Sequence, residues 1–260
     1  MIHFYKYHGT ANDFILVDNR DQRIAMKSNQ IHRLCDRRLG IGADGYIELQ
    51  NQEGYDFKMM YYNANGHIGT MCGNGARCAV AFAKQMHMVS EEAKFVTADG
   101  EHTARINPDY TISVKMQNVQ QISQRGDDFV LDTGSPHYVT KVGRTDDLDV
   151  FSLGQKIRNS PEFVHDGINV NFLEIIDGQN IRVRTYERGV EDETYSCGTG
   201  VTASALVSES QVPGSYVKKI HTKGGLLNVR FDLNAEGVYE NIWLTGPACL
   251  VFEGHIALNA

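Results

Sequence analysis

Cys72-Gly73-Asn74-Gly75 and Cys197-Gly198-Thr199-Gly200 carry one pattern, C-G-x-G, 125 residues apart. The same offset joins Gly9 to Gly134, Gly42 to Gly167, Tyr61 to Tyr186 and Thr97 to Thr222 without a gap. GADGYIELQ (42–50) falls on GINVNFLEI (167–175), and KFVTADGEHTARI (94–106) on KIHTKGGLLNVRF (219–231). One tetrapeptide repeats by chance; a constant offset held from residue 9 to residue 97 is an internal duplication. The chain therefore reads as two copies of one unit, 1–118 and 126–260. Residues 119–125, inside the Gln-rich stretch NVQQISQRG, are expected to link them, and the last strand is free to pack back on the first copy.

Short apolar or alternating runs predict strands: FILVD (14–18), FKMMYY (57–62) and TISVKM (111–116) in the first copy. The second holds FVLDT (129–133), VNFLEII (170–176), IRVRTY (181–186), LLNVRF (226–231) and IWLTG (242–246). Ser28 is placed to cap a helix with Ile31, Leu34 and Cys35 on one face, and SLGQKIRN (152–159) is its weaker counterpart. Each C-G-x-G opens a helix. ARCAVAFAKQ has one charge, Arg77, before Lys84, and VTASALVSES has none before Glu209. Helices apolar on nearly every side belong inside a domain. The expected class is α+β: two pseudo-symmetric domains, each a curved, mostly antiparallel sheet wrapped around one buried helix.

At 260 residues, 42% apolar and 22% charged, the chain can bury two cores and carries no disorder signature. Its net charge of −7 argues against nucleic-acid or anionic-membrane partners. The longest apolar run, Cys78 to Ala83, is too short to span a bilayer, and MIHFYKYHGT lacks the apolar core of a signal peptide. Five scattered cysteines form no disulfide framework. A soluble, cytoplasmic globular protein is the expectation.

A helix N-terminus presents unpaired amides and about half a positive charge, which stabilises a thiolate and attracts a carboxylate or phosphate. Two such cysteines in duplicated positions are expected to face each other across a cleft. Inverting a stereocentre beside a carboxylate requires one group to take a proton and another to return one on the opposite face. A thiolate and a thiol can exchange those roles. The amides of Gly73-Asn74 and Gly198-Thr199 would stabilise the charge that builds on the carboxylate. This is cofactor-free racemase or epimerase chemistry. Cys35, Cys78 and Cys249 read as ordinary core residues. No zinc spacing, phosphate loop or dinucleotide fingerprint is present, so no metal is expected. Glu191-Asp192-Glu193 reads as a solvated loop.

At these residues the sequence resembles the diaminopimelate epimerase family. His8-Gly9-Thr10-Ala11-Asn12-Asp13-Phe14, Tyr62-Asn63-Ala64-Asn65-Gly66, the stretch from Cys72 to Cys78, Glu187-Arg188-Gly189, Cys197 to Gly200 and GIGADG (40–45) carry the likeness. The resemblance implies interconversion of LL- and meso-2,6-diaminopimelate, on the route to lysine and peptidoglycan precursors. It implies two-base chemistry without cofactor, in a homodimer. It makes Cys72 and Cys197 the acid and base, with His137 and Glu187 tuning them. Gly73, Asn74, Gly198 and Thr199 would hold the reacting carboxylate, and Asn12, Asn63 and Asn169 the amino-acid groups. Glu187 would also line the substrate site, and Arg188 would meet the distal carboxylate. Taken alone, Arg188 and Glu187 would read as a surface pair, and His137 as a packed loop residue.

Three departures stand out: Ser135 where the family has Asn before Pro-His, Ala11 for Gly, and Asn65 for Asp. Ser135 bears on the distal pocket. A proline-racemase relative leaves Arg188 without a distal group to bind. A reversible Cys72–Cys197 disulfide would consume the base, and a non-catalytic binding protein needs no cysteine at either helix start.

Overall fold

The computed structural model describes residues 1–69, 71–209 and 212–257. The first half carries β1 (Ile2–Gly9), β2 (Asn12–Asp18), α1 (Ser28–Cys35), β3 (Gly45–Gln50), β4 (Phe57–Asn63), α2 (Gly73–Gln85), β5 (Glu92–Thr97), β6 (Gly100–Ile106) and β7 (Ile112–Lys115). The second carries β8 (Ser123–Arg125), β9 (Asp128–Asp132), β10 (Pro136–Val142), α3 (Val150–Arg158), β11 (Asn169–Ile175), β12 (Asn180–Glu187), β13 (Asp192–Thr194) and α4 (Gly198–Val207). It ends with β14 (Gly214–Thr222), β15 (Gly225–Leu233), β16 (Tyr239–Gly246) and β17 (Cys249–Ile256). The chain is mostly sheet, in two compact units: Met1–Val114 with Gly246–Ala260, and Lys115–Thr245.

The first unit's sheet runs β17-β1-β2-β3-β4-β5-β6-β7, antiparallel except at the β2–β3 and β4–β5 pairings. The second unit's runs β8-β9-β10-β11-β12-β14-β15-β16, with parallel pairings at the equivalent places, β10–β11 and β12–β14. The duplication read from the glycines is thus a duplication of sheet topology. It also explains the C-terminal strand. β8 supplies the outermost strand of the second unit, beside β9. Its counterpart in the first unit is β17, which pairs with β1. Residues 119–125 are bound into the second unit: Val119 bridges to Tyr239, and β8 begins at Ser123.

Each sheet wraps its central helix. α2 packs against β1, β2, β3, β4 and β6, and α4 against β9, β10, β11, β12, β14 and β15. Ala76, Ala79, Val80, Phe82 and Ala83 of α2 are buried among Phe14, Leu16, Ile47, Phe57 and Phe95. Each large apolar side chain so enclosed contributes about 1.5–3 kcal/mol. The outer helices follow the ordinary amphipathic rule. Ile31, Leu34 and Cys35 of α1 face Ile15, Val17 and Tyr46. α3 lies on Val170, Phe172 and Tyr186, and its Gly154 is required because a Cβ there would sit 2.3 Å from that of Tyr186.

Two local readings are corrected. Lys27, not Ser28, is the α1 N-cap; the amide of Lys27 donates to Gln30 Oε1, and Ser28 is already helical. The stretch 191–193 is solvent-exposed at Glu191 and Asp192 as expected, but it runs into strand β13 and is ion-paired through Glu191 and Glu193. Glu193 accepts a bidentate fork from Arg184 (2.6 and 2.8 Å) and a bond from Lys223, and Glu191 takes Arg158 and the Tyr186 hydroxyl. Local spacing shows the charges of this segment, but the arginines that meet them come from elsewhere in the chain.

Candidate active site

Cys72 and Cys197 are the N-cap residues of α2 and α4, with nearly the same backbone (φ −107°, ψ 120° and φ −109°, ψ 113°). Neither side chain caps its helix, and neither first turn contains an acidic residue. The first intrahelical bonds are Ala76 N to Cys72 O and Val201 N to Cys197 O. The amides ahead of them have no helical acceptor, so each unit holds a sulfur beside an anion-attracting helix start.

In the first unit the hairpin between β1 and β2 reaches this start. Asn12 Nδ2 donates to Asp44 Oδ2 (2.7 Å), which turns Asn12 Oδ1 the other way. That oxygen accepts from the Cys72 thiol (3.7 Å) and from Asn74 Nδ2 (3.2 Å). Arg77 Nη2 donates to Asn74 Oδ1 (2.8 Å) and Thr10 Oγ1 (3.1 Å). Asn12, Cys72, Gly73 and Asn74, singled out in the sequence, therefore stand together. Asn63 is exposed at the end of β4, and its hydrogen bonds run to Tyr61, His67 and Gly66. The two hairpin residues Thr10 and Ala11 both have positive φ, +51° and +65°. Tight hairpins favour that backbone, but Thr and Ala adopt it at a cost. Ala11 thus occupies a left-handed position at the tip that carries Asn12.

In the second unit Cys197 Sγ lies 3.5 Å from Thr199 Oγ1, and the Thr199 carbonyl accepts from Thr133 Oγ1 (2.9 Å). Gly200 leaves room for Asn171: a Cβ there would meet Asn171 Oδ1 at 2.3 Å. This glycine thus answers to packing. Buried Asn171 accepts from Thr185 Oγ1 and donates from Nδ2 to Tyr138 O (3.0 Å) and His137 Nδ1 (3.1 Å).

His137 lies inside strand β10 with no solvent exposure, not in a loop. Because Nδ1 accepts, Nε2 carries the proton of the neutral ring, and Nε2 has no hydrogen-bond partner among the described residues. Burial, then the nearby Arg188 charge, pushes its pKa down to about 3, so the ring is neutral at physiological pH.

Ser135, Asn169 and Arg188 form a third group. Asn169 donates to Ser135 Oγ (2.9 Å) and Pro136 O (3.1 Å), and its Oδ1 accepts the Arg188 amide (2.9 Å). The Arg188 guanidinium donates to Asp166 O (3.1 Å) and Ser135 Oγ (3.3 Å). It has no carboxylate partner among the described residues. Glu187 does not pair with it; Glu187 Oε2 accepts from Thr194 Oγ1 (2.8 Å). Two donors, Asn169 Nδ2 and Arg188 Nη2, converge on Ser135 Oγ.

Of the other cysteines, Cys35 and Cys78 are buried, and burial pushes Cys35 up to about 12 and Cys78 higher. Cys249 is exposed on β17, not a core residue. Among the described residues no group of three or more His, Cys, Asp or Glu is placed to hold a metal, and no helix is long and apolar enough to cross a membrane. The sequence assigns no role to Asp44, Asn171 or Arg77. A polar residue inside an otherwise apolar strand or helix was the signal available for the last two.

A curved sheet wrapped around a buried helix, present once in each half, defines a class of two-domain folds. Solved structures share it. A Bacillus anthracis phenazine biosynthesis protein of the PhzF family superposes with TM-score 0.75 at 13% identity, covering 98% of this chain and 99% of that one. An Agrobacterium vitis hydroxyproline epimerase does so with TM-score 0.66 at 13% identity, covering 97% and 91%. The diaminopimelate epimerase family model matches residues 4–122 and 129–251. Diaminopimelate epimerases from Flavobacterium psychrophilum (46% identity, 96% of this chain and 98% of that one) and Aquifex aeolicus (34%, 98% and 97%) are similar over nearly their whole lengths. The chain belongs to the diaminopimelate epimerase family and is an isomerase.

Proposed function

We propose that this chain interconverts LL- and meso-2,6-diaminopimelate by two-base chemistry without cofactor, with Cys72 and Cys197 as the acid–base pair. The observation that carries the reading is the repetition itself: each unit presents one thiol at the N-cap of its buried helix. One thiolate removes the α-proton and the other thiol supplies one to the opposite face, the roles reversing with direction. The amides following each cysteine, at Gly73-Asn74 and Gly198-Thr199, neutralise charge on the reacting carboxylate. Asn12 and Asn63 hold amino-acid groups of the substrate. Arg188, steadied by Ser135 and Asp166 and lacking a carboxylate of its own among the described residues, receives the distal carboxylate, and Asn169 fixes that end of the site. His137 acts as a neutral donor through Nε2–H. Glu187, oriented by Thr194, supplies a negative charge that helps set which sulfur holds a proton.

The product serves lysine and peptidoglycan precursor synthesis in the cytoplasm, and the enzyme works as a homodimer; light scattering of the purified protein tests the last point. For the chemistry, LL-diaminopimelate is incubated in deuterated water without added cofactor. Two-base inversion places deuterium in the newly formed meso product early and leaves recovered substrate nearly unlabelled. Equal early labelling of both would indicate a single exchanging base and reject the pair.

A further inference from the structure

Arg77 is a fully buried guanidinium in the middle of the most apolar helix of the first unit. Buried cations are ordinarily matched by a carboxylate, because leaving water costs several kcal/mol per ion. Among the described residues Arg77 has none. Its hydrogen bonds go to Gly73 O and Pro247 O (both 3.3 Å), Thr10 Oγ1 (3.1 Å) and Asn74 Oδ1 (2.8 Å), all neutral acceptors. Gly9 keeps the space open, since a Cβ there would lie 3.1 Å from Arg77 Nη2 and 3.0 Å from Asn74 O.

The polar chain leading away from the guanidinium ends on sulfur. Arg77 holds Asn74 Oδ1, which aims Asn74 Nδ2 at Asn12 Oδ1, and the Cys72 thiol meets that same oxygen. The nearby acids are engaged elsewhere. Asp13 pairs with Lys6 and Arg37, Asp44 takes Asn12, the Asp13 amide and Arg37, and Asp99 accepts from the Met71 amide and Thr97. His8 accepts the Ala11 amide, Cys78 is held as a thiol by burial, and Cys249 is exposed.

Accepting the acid–base reading of Cys72, we propose that Arg77 is a positioning residue whose missing counter-ion is the Cys72 thiolate. It fixes Asn74 and Asn12 around the sulfur and supplies the buried positive charge that balances it. Burial lowers the Arg77 pKa, and Cys78 and then Cys72 act against it, so a charge on the Cys72 sulfur is favoured by the guanidinium in direction.

The test is the rate of Cys72 alkylation by iodoacetamide, followed by peptide mass across the pH range in which thiols ionise. Arg77→Gln is expected to raise the midpoint by about one pH unit, slowing alkylation about tenfold at neutral pH. Arg77→Lys keeps the charge and is expected to keep the midpoint. It lowers kcat with little change in KM, because an ammonium cannot hold Asn74 and Thr10 in one fixed fork. An unchanged midpoint in the Gln variant, or equal shifts in both, overturns the proposal. If neither variant folds, the unmutated chain decides: the anionic carboxymethyl adduct at Cys72 should melt above the neutral carbamidomethyl adduct, and equal melting overturns it. The alkylation and melting readouts need no turnover. A Cys72→Ala enzyme that still epimerised would therefore reject the acid–base reading and leave the alkylation result standing.

Discussion

His137 offers a prediction whose size comes from the structure. Folded, its pKa is held down to about 3 by burial and by Arg188; unfolded, it returns to the ordinary value of about 6.5. Above that value neither state is protonated and the residue makes no pH-dependent contribution. As pH falls, the unfolded chain takes up a proton that the folded chain refuses, so native stability falls, down to the folded pKa. The penalty works out at about 1 kcal/mol at about pH 5.5 and about 3 kcal/mol at about pH 4.5. Urea unfolding of the wild type and of His137→Gln isolates it, because other titrating groups cancel in the difference. Whatever the variant loses at neutral pH through the Asn171 contact, its stability relative to wild type should improve by those amounts on acidification. A difference that stayed constant with pH would mean that folded His137 accepts a proton as readily as unfolded His137. The neutral tautomer with Nε2–H as donor would then be wrong, and with it the role given to His137.

Cys72→Ala and Cys197→Ala should each abolish epimerisation, whereas Cys35→Ala and Cys249→Ala keep turnover near wild type; initial rates with LL-diaminopimelate decide. Ser135→Ala removes an acceptor shared by Asn169 and Arg188. Losing about 1 kcal/mol of positioning should raise KM several-fold with kcat nearly kept, and an unchanged KM argues against this triad at the distal carboxylate. Arg188→Ala should raise KM further. Ala11→Gly relieves a left-handed backbone and should add about 0.5–1 kcal/mol to unfolding stability; a loss of stability would show that the turn carries no such strain.

Much of the molecule was legible along the chain. The 125-residue offset carried the duplication because a constant spacing of glycines and cysteines survives without any knowledge of pairing. The central helices were legible because a stretch without charge has no solvent face to offer. The thiols at their starts followed from C-G-x-G alone. The outer strand of the first unit was harder to place. β17 belongs beside β1, and no local pattern records pairing across most of the chain's length.

The site divides the same way. That a sulfur opens each buried helix is a property of order and spacing, and the amino-acid sequence by itself determined it. Tertiary structure alone decided that His137 is neutral, that Asn171 sets its tautomer, that Ser135 gathers Asn169 and Arg188, and that Arg77 is buried with no carboxylate partner among the described residues. Each of these depends on desolvation and on contacts between distant segments. A side chain's charge state is set by what replaces the water around it, and only the folded chain determines that.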